Sequence, residues 1–432
     1  MFLDIQCSRY VNYTVCATIH QPSISIFNSF DSLLLLRRGG RVVYFGDIGR
    51  ESESLIKYLE SFEETPKILE GENPATWMLT SITAKSSDYV RKYQNSYPYR
   101  QCLEVINEAK ANANENNRIY FSTKYAASLT TQSIVVVKRM MKIYSRSPSY
   151  NVGRIVQAAV VALSLGLMFA NKSVPDNEGD MTSRVNSIYI AVVFIMTTSF
   201  DNVLPLFEVE RNMFYRHQEN VAYNPITLIN ALLVSELPFI IQATFVFCTC
   251  FYFFMGFTVD ITRIFFFYLF FGINMSMWTF LGQAFISMFK KLTTAQGYGG
   301  MLVTLSIMLA GVLIYPQNIP DGLKYVYWLI PSHYVIEGIL VSQYDEDTTE
   351  ITPTLGSPFY RYVCGLESCA ISCEVEPDTT CFGTAAEWIN VTFGGKFTAD
   401  HMGWNLLYLT VVMTIARILT FFALVNVNHF KK

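Results

Sequence analysis

Residues 264–289 are the feature that most constrains the fold, because none of these 26 side chains is charged. A helix needs about 20 consecutive apolar residues to cross the hydrocarbon core of a bilayer, so this stretch is long enough. A second uncharged run, 237–259, is separated from the first only by residues 260–263. Two such runs with so short a connection predict a transmembrane helical hairpin. The sequence therefore predicts an integral membrane protein.

Composition agrees with a membrane domain and argues against one class of partner. Hydrophobic residues make up 51% of the 432 residues, and charged residues only 16%, against about 25% in ordinary soluble domains. The formal net charge is -3 and no stripe is rich in lysine or arginine, so we expect no nucleic-acid partner. The length leaves room for a soluble region beside the membrane domain.

The first 49 residues have the pattern of a soluble α/β region. Residues 13–19 (YTVCATI) form a short β-rich apolar run, which is followed by HQPS and a helical stretch around FNSFD. Two further apolar runs, at 33–36 and 41–45, flank a predicted turn at 37–40. The order strand, loop, helix, strand, turn, strand is typical of the tail of a nucleotide-binding sheet rather than of a complete domain.

The region between residues 50 and 149 is expected to be mostly helical and polar, with a poorly packing linker at 110–117 (KANANENN). The stretch 130–146 is amphipathic, because apolar side chains recur at helical spacing among basic ones. The apolar positions are Ile134, Val137, Met141 and Tyr144, and the basic ones are Lys138, Arg139, Lys142 and Arg146. This pattern predicts a helix that lies along the cytoplasmic membrane surface.

Six membrane spans are expected, near residues 150–170, 185–207, 226–256, 264–289, 296–316 and 404–426. Basic residues concentrate at the ends that this arrangement places on one side: Arg139, Lys142, Arg146, Arg154, Arg211, Arg216, Lys290, Lys291, Lys431 and Lys432. The loop 317–403 has only three basic residues among twelve acidic ones. By the positive-inside rule both ends of the chain are therefore expected in the cytoplasm and this loop outside.

Two features of the loop 317–403 agree with an external position. Disulfide bonds persist outside the cytosol, and four cysteines cluster in this loop: Cys364, Cys369, Cys373 and Cys381. Three pairings are open, and a zinc site is the other interpretation, which the lack of histidine within the cluster disfavours. A glycosylation sequon begins at Asn390 in the same loop.

Part of that loop is expected to be helical. Residues 323–342 are apolar, but Pro331 interrupts them and Glu337 adds a carboxylate. Such a segment predicts a re-entrant pair of short helices packed within protein, because a lipid-facing span would leave backbone groups without partners.

Three ionisable side chains fall within or beside the predicted spans. Such groups are costly in a membrane and usually face a bundle interior. Asp201 and Arg417 are therefore candidates for a pair; alternatively, Arg417 snorkels towards the interface and Asp201 lies near a cavity. For Glu236, two residues before Pro238 near the start of the third span, snorkelling is a sufficient explanation.

Several motifs, taken in order along the chain, resemble the G-type ABC transporters. They are ATIHQPS at 17–23, FDSLLLLRRGGRVVYFGDIG at 30–49 and NPATWML at 73–79. SRSPSYNVGR at 145–154 and EVERNMFYRH at 208–217 resemble the pleiotropic drug resistance branch in particular. The resemblance implies the end of an ATPase domain (residues 1–65), a linker (66–129), an amphipathic connecting helix (130–149) and a six-span ABC-2 type exporter domain (150–426).

The resemblance also implies roles for individual residues. His20 would be the switch-loop histidine, which bonds the γ-phosphate of ATP and the attacking water; the plain alternative is a capping histidine on an α/β loop. Glu210 and Arg211 would belong to a relay that couples the ATPase to the spans, whereas the plain alternative pairs Glu210 with Arg211 or Arg216. The second and fifth spans would line a substrate cavity with an apolar valve above it. The cavity candidates are Ile190, Phe194, Thr198, Thr304, Ile307 and Met308, and the valve candidates are Val312 and Leu313.

Most of an ATP site is missing from this sequence. The phosphate-cradling pattern GxxxxGK[ST] does not occur, nor do the glycine-rich signature motif and the apolar strand that ends in Asp-Glu. The chain therefore resembles the C-terminal part of a transporter, either truncated or split. We expect ATP and Mg²⁺ to be used by the family but not bound in full by this chain, which should not hydrolyse ATP alone.

These observations predict a mostly α-helical membrane protein that is the transmembrane part of an ATP-driven exporter of lipophilic compounds. It would need the missing ATPase portion and a second six-span half, and the plasma membrane is its expected location. The alternative is an assembly or regulatory subunit without a motor, derived from such a transporter. A channel is disfavoured, because no span carries a selectivity-filter motif.

Overall fold

The computed structural model describes residues 15–37, 39–83, 88–112, 123–169, 174–365 and 381–427. The chain divides into two compact units, Met1–Tyr120 and Phe121–Lys432. We call them the N-terminal unit and the membrane unit, and each is described by itself.

The N-terminal unit is built on a β-hairpin. Strand β1 (Ser32–Arg37) pairs antiparallel with β2 (Arg41–Asp47), as the sequence predicts, with Gly40 at a φ of 75° in the connecting turn. The α-helices among its described residues are α1 (Ile24–Phe27), α2 (Glu53–Glu60), α3 (Pro74–Thr83), α4 (Tyr89–Gln94) and α5 (Tyr97–Ala111). One core unites the hairpin with α2 and α3, through buried Leu35, Val43, Leu55, Leu59 and Trp77.

One prediction for this unit is wrong where it can be compared. Residues 15–19, the described part of the expected strand at 13–19, have no regular secondary structure. A strand needs a neighbour for its backbone hydrogen bonds, and the hairpin pairs only with itself in the described part of the unit.

The NPATW stretch forms the start of α3, and its asparagine caps that helix. The Asn73 side chain accepts a hydrogen bond from the Ala75 amide at 3.0 Å and donates one to the Pro22 carbonyl at 2.8 Å.

Five helices of the membrane unit, among its described residues, are long and apolar enough to cross a bilayer. They are α7 (Pro148–Phe169), α8 (Glu178–Glu219), α9 (Pro225–Met255), α10 (Ile261–Met288) and α16 (Met402–Asn426). The predicted hairpin of two adjacent spans is α9 and α10, with Asp260 capping the start of α10. The mostly helical membrane fold that the sequence predicts is confirmed.

The fifth expected span, 296–316, is wrong in its second half. Helix α11 (Leu292–Met308) has 17 residues and ends well before residue 316. At 1.5 Å per residue it is about 25 Å long, shorter than a bilayer core of about 30 Å. Gly311, with a φ of 90°, lies in the stretch without α-helix that follows, and Pro316 begins a separate 3-10 turn (Pro316–Asn318); neither residue favours continuing α11. The described residues therefore contain five helices of spanning length, against the six expected.

The predicted pair of short helices is present as α12 (Asp321–Leu329) and α13 (Pro331–Tyr344), which meet at Ile330, and its re-entrant position in the membrane stays a prediction. Two side chains bond the last carbonyl groups of α12, and a third lies against the carbonyl of the linking residue Ile330. The hydroxyls of Tyr334 and Tyr408 donate to the carbonyls of residues 328 and 329 at 2.9 and 2.7 Å, and Nδ1 of His333 lies 2.8 Å from the Ile330 carbonyl. The break in the helix is thus satisfied within protein, as a re-entrant segment requires.

The rest of the loop 317–403 is compact in its described parts. It contains α14 (Pro358–Cys364), α15 (Ala385–Thr392) and a two-stranded sheet of β3 (Glu350–Ile351) and β4 (Gly383–Thr384). Cys364 ends α14, and Cys381 begins the next described segment. Cys369 and Cys373 lie outside the described residues, so the pairing of the four stays a prediction. Asn390 is exposed on α15.

The amphipathic stretch is helical, and of the four apolar positions named from the sequence only Tyr144 lies on the face that it buries in protein; the position of the helix along the membrane surface stays a prediction. Helix α6 (Leu129–Ser145) buries Gln132, Val136, Met140 and Tyr144, which recur every fourth residue. Ile134, assigned to the apolar face from the sequence, is 51% exposed, and Val137 and Met141 are only partly buried. The buried face is defined by packing against α9, which a single amphipathic pattern does not reveal.

Candidate functional site

The switch-loop candidate His20 is exposed, in a segment without regular structure between residue 15 and α1. The following residue, Gln21, has a φ of 48°, a conformation that is uncommon for residues other than glycine. The His20 imidazole is therefore accessible on an irregular loop. Its role in ATP hydrolysis stays a prediction.

Glu210 forms an ion pair, but not with the partners expected in the plain alternative. Its Oε2 lies 3.1 Å from Nη2 of Arg139, and the glutamate side chain is 6% exposed. The other nitrogen of the Arg139 guanidinium, Nη1, lies 3.3 Å from Nδ1 of His217, which in turn lies 3.2 Å from the Tyr223 hydroxyl. Because Arg139 belongs to α6 and Glu210 to α8, the ion pair fastens the amphipathic helix to the second span.

Arg211, unlike Glu210, bonds mainly to backbone carbonyl groups. Its guanidinium, 2% exposed, donates to the carbonyl groups of Phe289 at 2.5 Å and Lys290 at 3.1 Å, and also to that of Ile286. These carbonyls are at the C-terminal end of α10, where a helix leaves acceptors without intrahelical donors and carries partial negative charge. Arg211 therefore caps α10 from α8.

A buried polar network surrounds Glu236, which sequence reasoning assigned to snorkelling; that interpretation is wrong. Glu236 is fully buried, and its Oε1 accepts from the Tyr144 hydroxyl at 2.8 Å and from Nε2 of Gln283 at 3.2 Å. The Tyr150 hydroxyl lies 2.9 and 3.0 Å from the two carboxylate oxygens, and Nη1 of Arg154 lies 3.5 Å from Oε2. We call these five residues the Glu236 network. It joins α6, α7, α9 and α10.

Arg417 extends this network to the last span. It donates from Nη1 to Oε1 of Gln283 at 2.6 Å and from Nη2 to the carbonyl of Ile229. Its guanidinium also lies 5.0 Å from the ring centre of Phe280. The proposed pair with Asp201 is wrong, since Asp201 is exposed on α8 while Arg417 bonds α9 and α10.

The predicted cavity residues lie on two helices that contact each other. The Tyr189 hydroxyl of α8 donates to the carbonyl of Ile307 on α11 at 3.0 Å. The ring of Phe200 lies so close to Gly299 that a Cβ there would stand 1.9 Å from its Cζ. Ile190 and Met308 are 49% and 55% exposed, so the described chain leaves this face uncovered. The cavity candidates on these two helices are Ile190, Phe194, Thr198, Thr304, Ile307 and Met308.

The hydroxyl groups on this face are already used as donors. Thr198 donates to the Phe194 carbonyl at 2.8 Å, and Thr304 donates to that of Gly300 at 2.8 Å. The face therefore presents methyl groups, aromatic edges and hydroxyl lone pairs. Val312 and Leu313, the valve candidates, lie just past the end of α11; Val312 is buried and Leu313 is 61% exposed.

Sequence reasoning missed the Glu236 network, although one signal was present. Three polar side chains fall within the eleven residues 144–154, in and beside the SRSPSYNVGR motif: Tyr144, Tyr150 and Arg154. Polar groups at the start of a span need partners. What the sequence does not show is that Glu236, 82 residues after Arg154, is the shared partner. That depends on how three helices are rotated against one another.

Comparison with known proteins places the chain in a family. Two family models, both described as ABC-2 type transporter, match residues 131–344 and 20–63. ABC transporter G family member 40 of Oryza sativa subsp. japonica is 32% identical over 80% of this chain, and the protein of the same name in Arabidopsis thaliana is 33% identical over 78%. Pleiotropic drug resistance protein 1 of Petunia hybrida is 31% identical over 81%.

The chain spans only about a quarter of the length of these relatives: 24% for the first two and 25% for the third. The matched residues contain α6 to α11, the re-entrant pair and most of the described N-terminal unit before α3. The relatives agree with the branch that the EVERNMFYRH and SRSPSYNVGR motifs resemble. The chain belongs to the ABC-2 type transporters, as a membrane-domain segment of the G-type, pleiotropic drug resistance kind.

Proposed function

We propose that this chain is the transmembrane part of an ATP-driven exporter that moves lipophilic compounds by alternating access. The ion pair between Glu210 and Arg139 carries the proposal. It connects the amphipathic helix α6, which precedes the first span, to α8, which bears half of the cavity candidates. A displacement of α6 would therefore be passed to the cavity wall through a direct bond.

The residues present do not form a complete site for ATP and Mg²⁺. His20 offers one imidazole, and the sequence supplies no loop whose amides and lysine would hold the phosphates. We propose that the ATPase portion is supplied outside this chain and that the chain's share is mechanical. Residues 1–65 would be the end of the ATPase domain, 66–129 the linker, 130–149 the connecting helix and 150–426 the membrane domain.

The exposed face of α8 and α11 supports a lipophilic substrate and a second six-span half. Its hydroxyl donors are used internally, so a bound molecule would meet mainly apolar surface, the usual lining of a small-molecule site. An uncovered apolar face of this kind needs either lipid or protein against it. A second membrane domain facing it would enclose the cavity, with Val312 and Leu313 as the valve above.

We further propose that both termini are cytoplasmic, that the protein lies in the plasma membrane and that the loop 317–403 is external. Asn390 is exposed, as glycosylation requires, and the four clustered cysteines would form two disulfides. Removal of N-glycans should increase the gel mobility of the protein expressed in a glycosylating cell. An Asn390→Gln variant should lack this shift, and a wild-type protein without it would contradict the assignment.

The transport proposal is tested by flux into membrane vesicles that contain the chain together with its ATPase partner. A fluorescent lipophilic cation should accumulate in an ATP-dependent way. Glu210→Gln should strongly lower this flux while leaving ATP hydrolysis, because the ion pair with Arg139 on α6 is lost. Glu208→Gln, at a position two residues away and 30% exposed, is the matched control and should transport normally. No ATP-dependent flux in any form would favour the alternative, a regulatory subunit without a motor.

A further inference from the structure

A groove in the N-terminal unit lies between one face of the hairpin of β1 and β2 and helix α5. Its volume is about 920 Å³, within the range of about 300–1,000 Å³ that is usual for small-molecule sites. Leu34, Val42 and Phe45 line it on the hairpin, and Leu103 and Ile106 line it on α5. All of its lining residues belong to this unit, so the groove is separate from the cavity candidates on α8 and α11.

Both walls of the groove present apolar surface. Leu34 and Phe45, which are paired across the hairpin, are 53% and 41% exposed, whereas Leu35 on the other face lies in the core. Leu103 and Ile106 are 40% and 41% exposed, and α5 buries none of its side chains. The apolar side of a helix is normally covered in a folded protein. A ligand that fills the groove would therefore remove apolar surface of both walls from water.

Two guanidinium groups also line the groove, those of Arg41 at the start of β2 and Arg91 on α4. Both side chains are exposed, and neither guanidinium forms an ion pair within the part of the chain that the structure describes. The one acidic lining residue is Asp88, whose Oδ1 caps α4 by accepting from the Arg91 amide at 3.3 Å. Positive charge is thus in excess, and a guanidinium matches the geometry of a carboxylate.

The hairpin wall favours a hydrocarbon chain over a peptide. The face of a sheet presents side chains, because the backbone N–H and C=O groups of its strands point towards neighbouring strands. A peptide on this face would leave its own backbone groups without partners, which is costly when they are buried. A peptide that paired with the hairpin would bind at a strand edge instead. A hydrocarbon chain carries no such groups.

We propose that this groove binds a fatty acid. Its carboxylate bonds the guanidinium of Arg41 or Arg91, and its hydrocarbon chain lies between the hairpin and α5. The proposal requires only the fold of the N-terminal unit, so it is independent of the transport function.

The test uses Cys102, a lining residue of the groove that is partly exposed, and Cys16, which is exposed, as the reference within the same chain. The full chain in lipid nanodiscs is alkylated with N-ethylmaleimide, and the modification of each cysteine is followed by peptide mass spectrometry. Laurate should slow the alkylation of Cys102 without affecting Cys16. Dodecanol, which has the same chain without the charge, should protect Cys102 far less at the same concentration.

The head group is tested by replacing the arginines one at a time. Arg41→Gln or Arg91→Gln should raise the laurate concentration needed for half-protection about tenfold, the effect of losing a hydrogen bond between charged groups. Arg100→Gln is the matched control, because Arg100 is exposed on α5 but does not line the groove. Equal protection by dodecanol, or protection that neither lining arginine affects, would overturn the fatty acid assignment.

The site itself is tested by filling the groove. Leu34→Trp should slow the alkylation of Cys102 without laurate, and laurate should then have no further effect; Ile106→Trp is the second filling variant if the first does not fold. Val105→Trp is the control, at a 60% exposed position on α5 outside the lining. Alkylation of Cys102 that laurate does not slow would overturn the site. So would a Cys102 that is unreactive without any probe, because a protein segment would then cover the groove.

Discussion

The Glu236 network yields the sharpest prediction, the cost of removing its one negative charge. In Glu236→Gln the side chain keeps its shape, but the Arg154 guanidinium, 5% exposed, loses the carboxylate 3.5 Å away. Leaving one member of a buried ion pair without its partner costs about 3–5 kcal/mol of folding free energy. The Tyr144 and Tyr150 hydroxyls would also face an amide with one acceptor oxygen instead of two. We therefore expect Glu236→Gln to lower the free energy of unfolding by an amount at the upper end of that range.

The measurement is unfolding of the purified chain in mixed micelles with rising mole fraction of a denaturing detergent, followed by circular dichroism. Glu208→Gln is the control, because its carboxylate is 30% exposed and lies 3.9 Å from the nearest guanidinium nitrogen. Because Arg211, the partner of Glu208, is already bonded to carbonyl groups at the end of α10, losing this long contact of a partly exposed carboxylate should cost no more than the roughly 0–1 kcal/mol of a surface pair. The two glutamine variants should therefore differ clearly.

A double-mutant cycle separates the charge from the packing. Arg154→Gln alone leaves Glu236 as a buried anion, whereas the double variant Arg154→Gln/Glu236→Gln leaves neither charge. The double variant should be less destabilised than the sum of the single ones, by roughly 0.5–3 kcal/mol. Strictly additive effects, or a Glu236→Gln protein as stable as the Glu208→Gln control, would refute the account of a charge-compensated network.

Three further predictions concern other contacts. Arg211→Ala should cost about 2–4 kcal/mol of folding free energy, since it leaves buried carbonyls at the end of α10 without donors; exposed Arg216→Ala is the control in the same unfolding assay. Gly299→Ala should destabilise by about 1–3 kcal/mol through contact with the Phe200 ring, and Phe200→Leu should reduce this penalty; equal penalties in both backgrounds would contradict the packing. Burial, with the neighbouring charge of Asp47 adding to it, raises the pKa of the Tyr44 hydroxyl from 10.0 to about 12. The folded state therefore disfavours the phenolate, so stability present below pH 10 should fall between pH 10 and 12, and Tyr44→Phe should lessen that fall in thermal melts.

Local patterns were enough to predict the elements whose cause is local. The hairpin of β1 and β2 follows from two apolar runs around a double glycine, and the break between α12 and α13 follows from Pro331. Two predictions that rested on more than a local pattern were wrong in whole or in part. The strand expected at 13–19 needs a partner strand, and the second half of the span expected at 296–316 contains Gly311, whose left-handed backbone conformation the hydropathy of the segment does not reveal.

The candidate site residues also divide into what local motifs predicted and what depended on distant parts of the chain. The motifs of the sequence directed attention to Glu210 and Arg211, but not to their partners, which are Arg139 and the end of α10. Glu236 was misassigned because a carboxylate near a span end is compatible with snorkelling when its surroundings are unknown.

The sequence by itself determined that the chain spans a membrane and which family it resembles, because the length of apolar runs and short motifs are properties of contiguous residues. Only the tertiary structure decided which polar side chains meet. Arg139 lies 71 residues before its partner Glu210, and Tyr144 lies 92 residues before Glu236. Gln283 lies 134 residues before Arg417. Such meetings depend on the rotation and crossing of packed helices, and in a low-dielectric interior each buried charge must then find its partner there.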